Sequence, residues 1–261
     1  MVILSYKIRW KGEGARTFGN YKFFWAGGRE GTAGVGFLVE EGWVDKVLQV
    51  TRYSERIMLL RVRVGKSVLC VVSVYAPQVG RTMEEKEEFF VSLGEVLSTV
   101  DAKERLVVCG DMNGHVGARK EGFEGVHGGY GYGERNAEGE MLLEFADAMK
   151  LVVANTWFKK EDHRLVTYES GGCRTVVDYI LVRREKLRWL TNATVVRSEP
   201  SLQQHKLLMG TLQLEDCRRM KEKTVFVSKC KVWKLKEPEI RQAFEAEVRE
   251  RSAQRVDDDD D

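Results

Sequence analysis

The 261-residue chain is 43% hydrophobic, holds only three prolines, and sets 42 Lys+Arg against 40 Asp+Glu for a formal net charge of +2. A chain of this size buries one large core or two small ones. So balanced a charge excludes a polyelectrolyte whose whole surface attracts nucleic acid, and leaves any such partner to local patches.

No apolar run approaches the roughly 18 residues of a membrane span, and the start Met1–Leu4 is cut short by Lys7, Arg9 and Lys11. Neither a signal peptide nor a membrane segment is expected, and the chain reads as intracellular, in nucleus or cytoplasm. The five cysteines (Cys70, Cys109, Cys173, Cys217, Cys230) are odd in number and lack CxxC spacing. They fit a reducing compartment and argue against a zinc ribbon.

In chain order, β-rich runs are predicted at Tyr21–Trp25, Val35–Val39, Ile57–Val64 and Val68–Tyr75. Thr82-Met83-Glu84-Glu85 is a capping box, Thr at the N-cap and Glu three residues on. It opens a helix with Phe89, Phe90, Leu93, Val96, Leu97 and Val100 on one face. A strand at Leu106–Cys109 follows, then a second helix from about Glu138 to Lys150 with Met141, Leu142, Phe145, Ala146 and Met149 inward. Further strands are expected at Leu151–Ala154, Val176–Val182, Ala193–Val196 and Leu207–Leu214. Many strands with a few outer helices read as an α/β (α+β) sandwich.

Gly114 to Gly133 holds eight glycines in twenty residues, with His115, His127, Tyr130 and Tyr132 among them. A loop this long either contacts a ligand or moves freely at the surface. After Leu214 the character changes. Arg218–Lys236 carries eight Lys/Arg and one acidic residue, Glu222; an amphipathic stretch follows at Glu239–Val248, then Asp257–Asp261. We expect one domain over residues 1–215, and a basic linker, short helix and acidic tail over 216–261.

Four sequence pieces bear chemistry, each at the end of a predicted strand. Tyr75 closes Val74-Tyr75-Ala76-Pro77 and offers a phenol to an oxyanion. Gly110-Asp111-Met112-Asn113 sets a carboxylate and a carboxamide two residues apart. Asp178 is a single acid in the apolar Val177-Asp178-Tyr179-Ile180-Leu181, where burial demands a partner. His205 precedes the last strand in Gln204-His205-Lys206. Singly, each also has a structural reading: Tyr75 as a core cap, Asp178 as a loop anchor, Asp111 and Asn113 as turn formers. Their order along the chain favours a site.

With these residues the sequence resembles the endonuclease/exonuclease/phosphatase family. It is most similar to the apurinic-type endonuclease domain of LINE-like retrotransposons and to the craniofacial development protein 2-like proteins. Arg9-Trp10-Lys11-Gly12, Tyr53-Ser54-Glu55-Arg56-Ile57, Tyr75-Ala76-Pro77-Gln78, Gly133-Glu134-Arg135-Asn136, Asn155-Thr156-Trp157-Phe158 and Val166–Gly172 carry the likeness, over roughly residues 7–215. The resemblance implies two packed mixed β-sheets flanked by helices, and Mg²⁺- or Mn²⁺-dependent phosphodiester hydrolysis on DNA. By the same resemblance Asp111 deprotonates the attacking water and Asn113 holds that water or the phosphate, both near the metal. His205 contacts a non-bridging oxygen, Asp178 fixes its tautomer, and Tyr75 donates to the phosphate.

Two departures stand out. The family begins with a strand ending in an active-site Asn, then one ending in Gln-Glu whose Glu is the principal metal ligand. This sequence starts too late for the first strand, and Tyr6-Lys7-Ile8 stands where the Glu belongs. An ammonium repels a hard cation, so weakened hydrolysis is expected. A catalytically inactive nucleic-acid- or protein-binding module and a phosphatase of the same superfamily are the alternatives. Gln203-Gln204-His205 also replaces the family's Ser-Asp-His.

Overall fold

The computed structural model describes residues 3–8, 10–31, 33–196 and 204–213, with 238–239, 241–243 and 245–247. Two compact units divide the chain, Met1–Glu215 and Asp216–Asp261. In the second, the described residues are helical, and Arg241 Nε lies 3.0 Å from Glu245 one turn on. The basic stretch Arg218–Lys236, the aspartates Asp257–Asp261, Arg9, Gln203, Cys217 and Cys230 lie outside the described residues, as does the side chain of Lys7.

The first unit opens with β1 (Ile3–Lys7), β2 (Gly12–Phe18), β3 (Tyr21–Gly27) and β4 (Gly34–Glu40), an antiparallel sheet in the order β1-β4-β3-β2. After the single-turn α1 (Glu41–Val44) come β5 (Val47–Arg52), β6 (Ile57–Val64), β7 (Ser67–Tyr75), α2 (Met83–Ser98) and β8 (Arg105–Asp111). Then follow α3 (Ala137–Ala148), β9 (Leu151–Val153), the hairpin β10 (Tyr168–Ser170) and β11 (Cys173–Thr175), β12 (Asp178–Arg183), β13 (Leu190–Val195) and β14 (Leu208–Leu212). The larger sheet runs β5-β6-β7-β8-β12-β9. Its β7–β8 pair is parallel, because α2 carries the chain back over the sheet as a crossover.

Strands β6, β7 and β8 are almost continuously apolar because both of their faces are covered. On β7, Cys70, Val72 and Val74 point to a core shared with Phe89, Leu93, Leu142 and Leu143 of the helices. Leu69, Val71 and Tyr75 point the other way, to a second core with Phe24, Val35, Phe37 and Val39 of the smaller sheet. The period-two alternation thus builds a helix–sheet–sheet stack. Burial pushes the Cys70 thiol up to about 12, so it behaves as an inert core residue.

The capping box forms as read: Glu85 N donates to Thr82 Oγ1 at 3.3 Å, and Thr82 N to Glu85 Oε2 at 3.1 Å. The second helix starts one residue earlier than expected, capped by Asn136, and buries Leu143 as well as Leu142 and Ala146, while Met141 is only half-buried.

The glycine-rich segment is pinned in place. Gly117 bridges Tyr132, and His127 bridges Val153. The Arg135 guanidinium reaches the carbonyls of Val116 at 3.2 Å and Arg119 at 2.8 Å. His127 is fully buried; Gly129 N donates to its Nδ1 at 3.0 Å, and its Nε2–H donates to Gly117 O at 3.0 Å. Free movement, one of the two readings of this loop, does not fit these ties.

Candidate active site

Strand register assembles the site. Tyr75, the last residue of β7, pairs with Asp111, the last of β8. Asp111 in turn pairs with Asp178, the first residue of β12. Three side chains from far-apart segments therefore stand in one row across three neighbouring strands, at a spacing of about 4.8 Å per strand. Asp178 opens its strand rather than sitting within it, which puts its carboxylate at the sheet's rim.

Gly110 lets Asp111 reach this place. Its φ is +147°, and a Cβ there would stand 2.0 Å from Val74 O, so only glycine fits between the strands. Beyond Asp111 the chain reverses at Asn113, whose φ of +48° Asn tolerates better than most residues. The Asn113 N–H donates to Asp111 Oδ1 at 3.0 Å, and Asn113 Nδ2 donates to Ala76 O at 2.7 Å. The carboxamide thus braces the strand ends and holds the nearly buried Asp111 carboxylate.

His205 enters from the other side. Its Nδ1 lies 3.0 Å from Asp178 Oδ2, and its Nε2 lies 3.8 Å from Asp111 Oδ2. A carboxylate only accepts, so Nδ1–H is the donor and Nε2 is the nitrogen turned toward Asp111. Backbone bonds set this pose: Glu169 N donates to Gln204 O at 2.9 Å, and Lys206 N to Thr167 O at 2.7 Å. The Tyr168 ring stands edge-on to the imidazole at 4.9 Å.

Asp178 is held from below. Val177 N and Asp178 N both donate to Thr167 Oγ1, at 3.0 and 3.1 Å, and Asn155 Nδ2 donates to Asp178 O at 3.0 Å. Lys206 lies 2.6 Å from Glu169, and its hydrogen bond holds the Glu169 carboxyl below the usual range. At Tyr75, Gln78 Nε2 donates to the phenol oxygen at 3.2 Å, while Arg56 Nη1 donates to Tyr75 O at 3.1 Å. Thr167, Tyr168, Asn155, Gln78 and Arg56 are the supporting residues that reading single positions passed over. Each stands inside a stretch that carried the family likeness, which was the signal available.

Tyr75, Asp111 and Asp178 share the strand-end row, His205 lies against the two carboxylates, and Asn113 braces Asp111. Two carboxylates flank one imidazole; the arrangement can take a proton from water at Asp111 and, when both ring nitrogens are protonated, present a fixed Nε2–H to an anion. It does not make a cage for Mg²⁺ or Mn²⁺. Such cations are usually held by one or two carboxylates, with waters and substrate oxygens completing about six ligands; Asp111 Oδ1 here accepts from Asn113 N, and Asn113 Nδ2 is given to Ala76 O. Among the described residues no group of three His, Cys, Asp or Glu could hold a metal. Lys7 ends β1 at the register position of Val35.

No family profile matches the chain. It is 26% identical over 215 residues to craniofacial development protein 2 of Tragulus javanicus, a match covering 80% of this chain and 37% of that protein. The chain thus spans little more than a third of the curated relative. Among solved structures it superposes on the endonuclease domain of TRAS1, a telomere-specific non-LTR retrotransposon, with a TM-score of 0.55. That match has 17% identity and covers 76% of this chain and 80% of that domain.

The chain has the endonuclease/exonuclease/phosphatase-type fold. The 3′ phosphatase NExo from Neisseria, in a structure bound to product DNA hairpin, shares it with a TM-score of 0.57, 15% identity and coverage of 81% and 88% of the two chains. The likeness of fold agrees with the two packed sheets flanked by helices expected from the sequence. Among the described residues, none of its helices is long and apolar enough to cross a membrane.

Proposed function

We propose that this protein is a nuclease-type phosphodiesterase acting on DNA, with its chemistry carried by Asp111, Asp178, His205, Tyr75 and Asn113. The observation that carries the reading is the alignment of Tyr75, Asp111 and Asp178 in one strand-end row with His205 clasped between the two carboxylates. A structural relative solved with product DNA hairpin supports the choice of substrate, as does the sequence likeness to a transposon protein of Xenopus laevis.

In this mechanism Asp111 accepts the proton of the attacking water. Asn113 fixes the turn that aims that carboxylate. With both ring nitrogens protonated, the Nε2–H of His205 donates to a non-bridging oxygen. Negative charge grows there as the water oxygen bonds to phosphorus and the ester P–O bond to the leaving oxygen breaks, and Asp178 holds Nδ1–H so that the ring cannot rotate away. The Tyr75 hydroxyl donates to a second oxygen. Preorganised donors of this kind supply much of a rate enhancement. A bound Mg²⁺ or Mn²⁺ would add charge neutralisation worth several kcal/mol, but the residues present do not complete its ligand set. The activity proposed for the chain as it stands is therefore weak.

A second reading, a silent DNA-binding module using the same rim, is favoured by that incomplete set and by Lys7 in the place of a carboxylate. One assay separates them. Supercoiled plasmid is incubated with the wild type, Asp111→Ala and Lys7→Glu in the presence of Mg²⁺. Slow nicking that Asp111→Ala abolishes and Lys7→Glu accelerates supports the enzyme. DNA retention without nicking by any of the three supports the binding module, and preferential cleavage of a small phosphoester would move the chain to the phosphatases.

A further inference from the structure

The outward face of the small sheet carries an aromatic cluster that the row does not use. Strand register puts Phe23 between Arg16 and Leu38, and Trp25 between Gly14 and Gly36. The two glycines form lanes for the rings: a Cβ on Gly14 would stand 2.5 Å from the Trp25 indole, and one on Gly36 would stand 2.8 Å from Phe23. Phe23 and Trp25 stack with centroids 5.7 Å apart and planes 17° apart. Trp10 stands edge-on to both at 5.3 Å, and Phe18 closes the far side, 6.2 Å from Trp10. Trp10 and Phe18 nevertheless remain 45% and 42% exposed. Large exposed aromatics on a patch with a built floor mark a contact surface rather than a core.

Charge narrows the partner. On this face stands Arg16, the register partner of Phe23, and exposed Lys11 adjoins Trp10 in the chain; Lys22 belongs to the other face, over Phe24. The Arg16 guanidinium sits 5.2 Å from the centre of the Phe18 ring. Flat rings for bases beside cations for phosphates are the two elements of single-strand recognition. The cluster also shares a rim with the row. Trp10 O fills the space a Cβ on Gly27 would need, and the Glu55 carboxylate fills that of Gly28; the next residue, Arg56, bonds to Tyr75.

We propose that this face binds unpaired DNA by stacking bases on Trp10 and Phe18. The choice of DNA over RNA rests on the proposed nuclease reading; the stacking itself does not.

The test is anisotropy of a labelled 20-mer of thymidylate with the full chain in metal-free buffer. Trp10→Ala and Phe18→Ala should each weaken binding about tenfold, with Trp10→Phe retaining most of it and melting temperatures confirming the fold. Phe18→Ala, at the exposed hairpin end, keeps the test decisive if Trp10→Ala fails to fold. Unchanged affinity in both alanine variants overturns the proposal. So does equal binding of an abasic 20-mer, which would leave charge alone, or a face that proves to bury itself in a second copy of the chain. Tenfold tighter binding of a uridylate 20-mer overturns the DNA assignment. A chain that holds thymidylate through Trp10 yet never nicks plasmid upholds this face and refutes the nuclease reading; nicking with thymidylate binding indifferent to both rings does the reverse.

Discussion

The imidazole of His205 turns Nδ1 to the carboxylate of Asp178, 3.0 Å away, and this one bond decides which nitrogen looks into the site. Asp178 stands at the start of its strand only because β12 is registered so that Asp178 falls opposite Asp111. Asp178→Ala should therefore lower plasmid nicking by about 10²- to 10³-fold, the scale of losing a positioned proton-transfer group or transition-state donor. Circular dichroism should show the fold retained.

Gly110 is the position where the least change should do the most harm. Gly110→Ala puts a methyl group 2.0 Å from Val74 O, on a backbone at φ +147°. Strain of this kind costs of order 1–3 kcal/mol before the clash is counted. We expect a drop of several degrees or more in melting temperature, together with loss of any activity.

Acid should loosen the glycine-rich segment. Burial pushes the pKa of His127 below its ordinary value, so the folded state favours the neutral ring whose Nδ1 accepts from Gly129. The unfolded chain binds the proton more readily, near its ordinary pKa of about 6.5. Stability from this group is fully present above that pH and is lost as pH falls below it. Hydrogen exchange at the Gly129 amide, corrected for intrinsic rate, should quicken as pH falls below about 6.5, and His127→Gln should flatten that dependence.

The capping box offers a smaller and cleaner test. Thr82→Ala removes the oxygen that accepts from Glu85 N and should cost about 1 kcal/mol in denaturant melts, with no effect on the row.

Legibility in the sequence followed how local the cause of each feature was. The start of α2 was plain at Thr82 because cap and helix lie within four residues. Strands β6 and β7 were plain because double burial leaves an unbroken apolar run. By contrast β2 was not: Gly12-Glu13-Gly14-Ala15-Arg16-Thr17-Phe18 is nearly all exposed and is a strand only through its pairing with β3. The hairpin β10–β11 turns at Gly171 and Gly172, both at positive φ, and its importance comes from a non-local bridge between Tyr168 and His205. The candidate residues Tyr75, Asp111, Asn113, Asp178 and His205 were legible as a set near predicted strand ends, whereas the residues that hold Asp178, Thr167 and Asn155, act through backbone bonds that no local pattern reveals.

The most direct measurement is a double-mutant cycle on nicking rate, carried out in the Lys7→Glu chain, with Asp178→Ala, His205→Ala and the pair together. If Asp178 works through His205, the double variant should be little slower than His205→Ala alone. Two losses that simply multiply would mean that the carboxylate and the imidazole act apart, and would contradict the account.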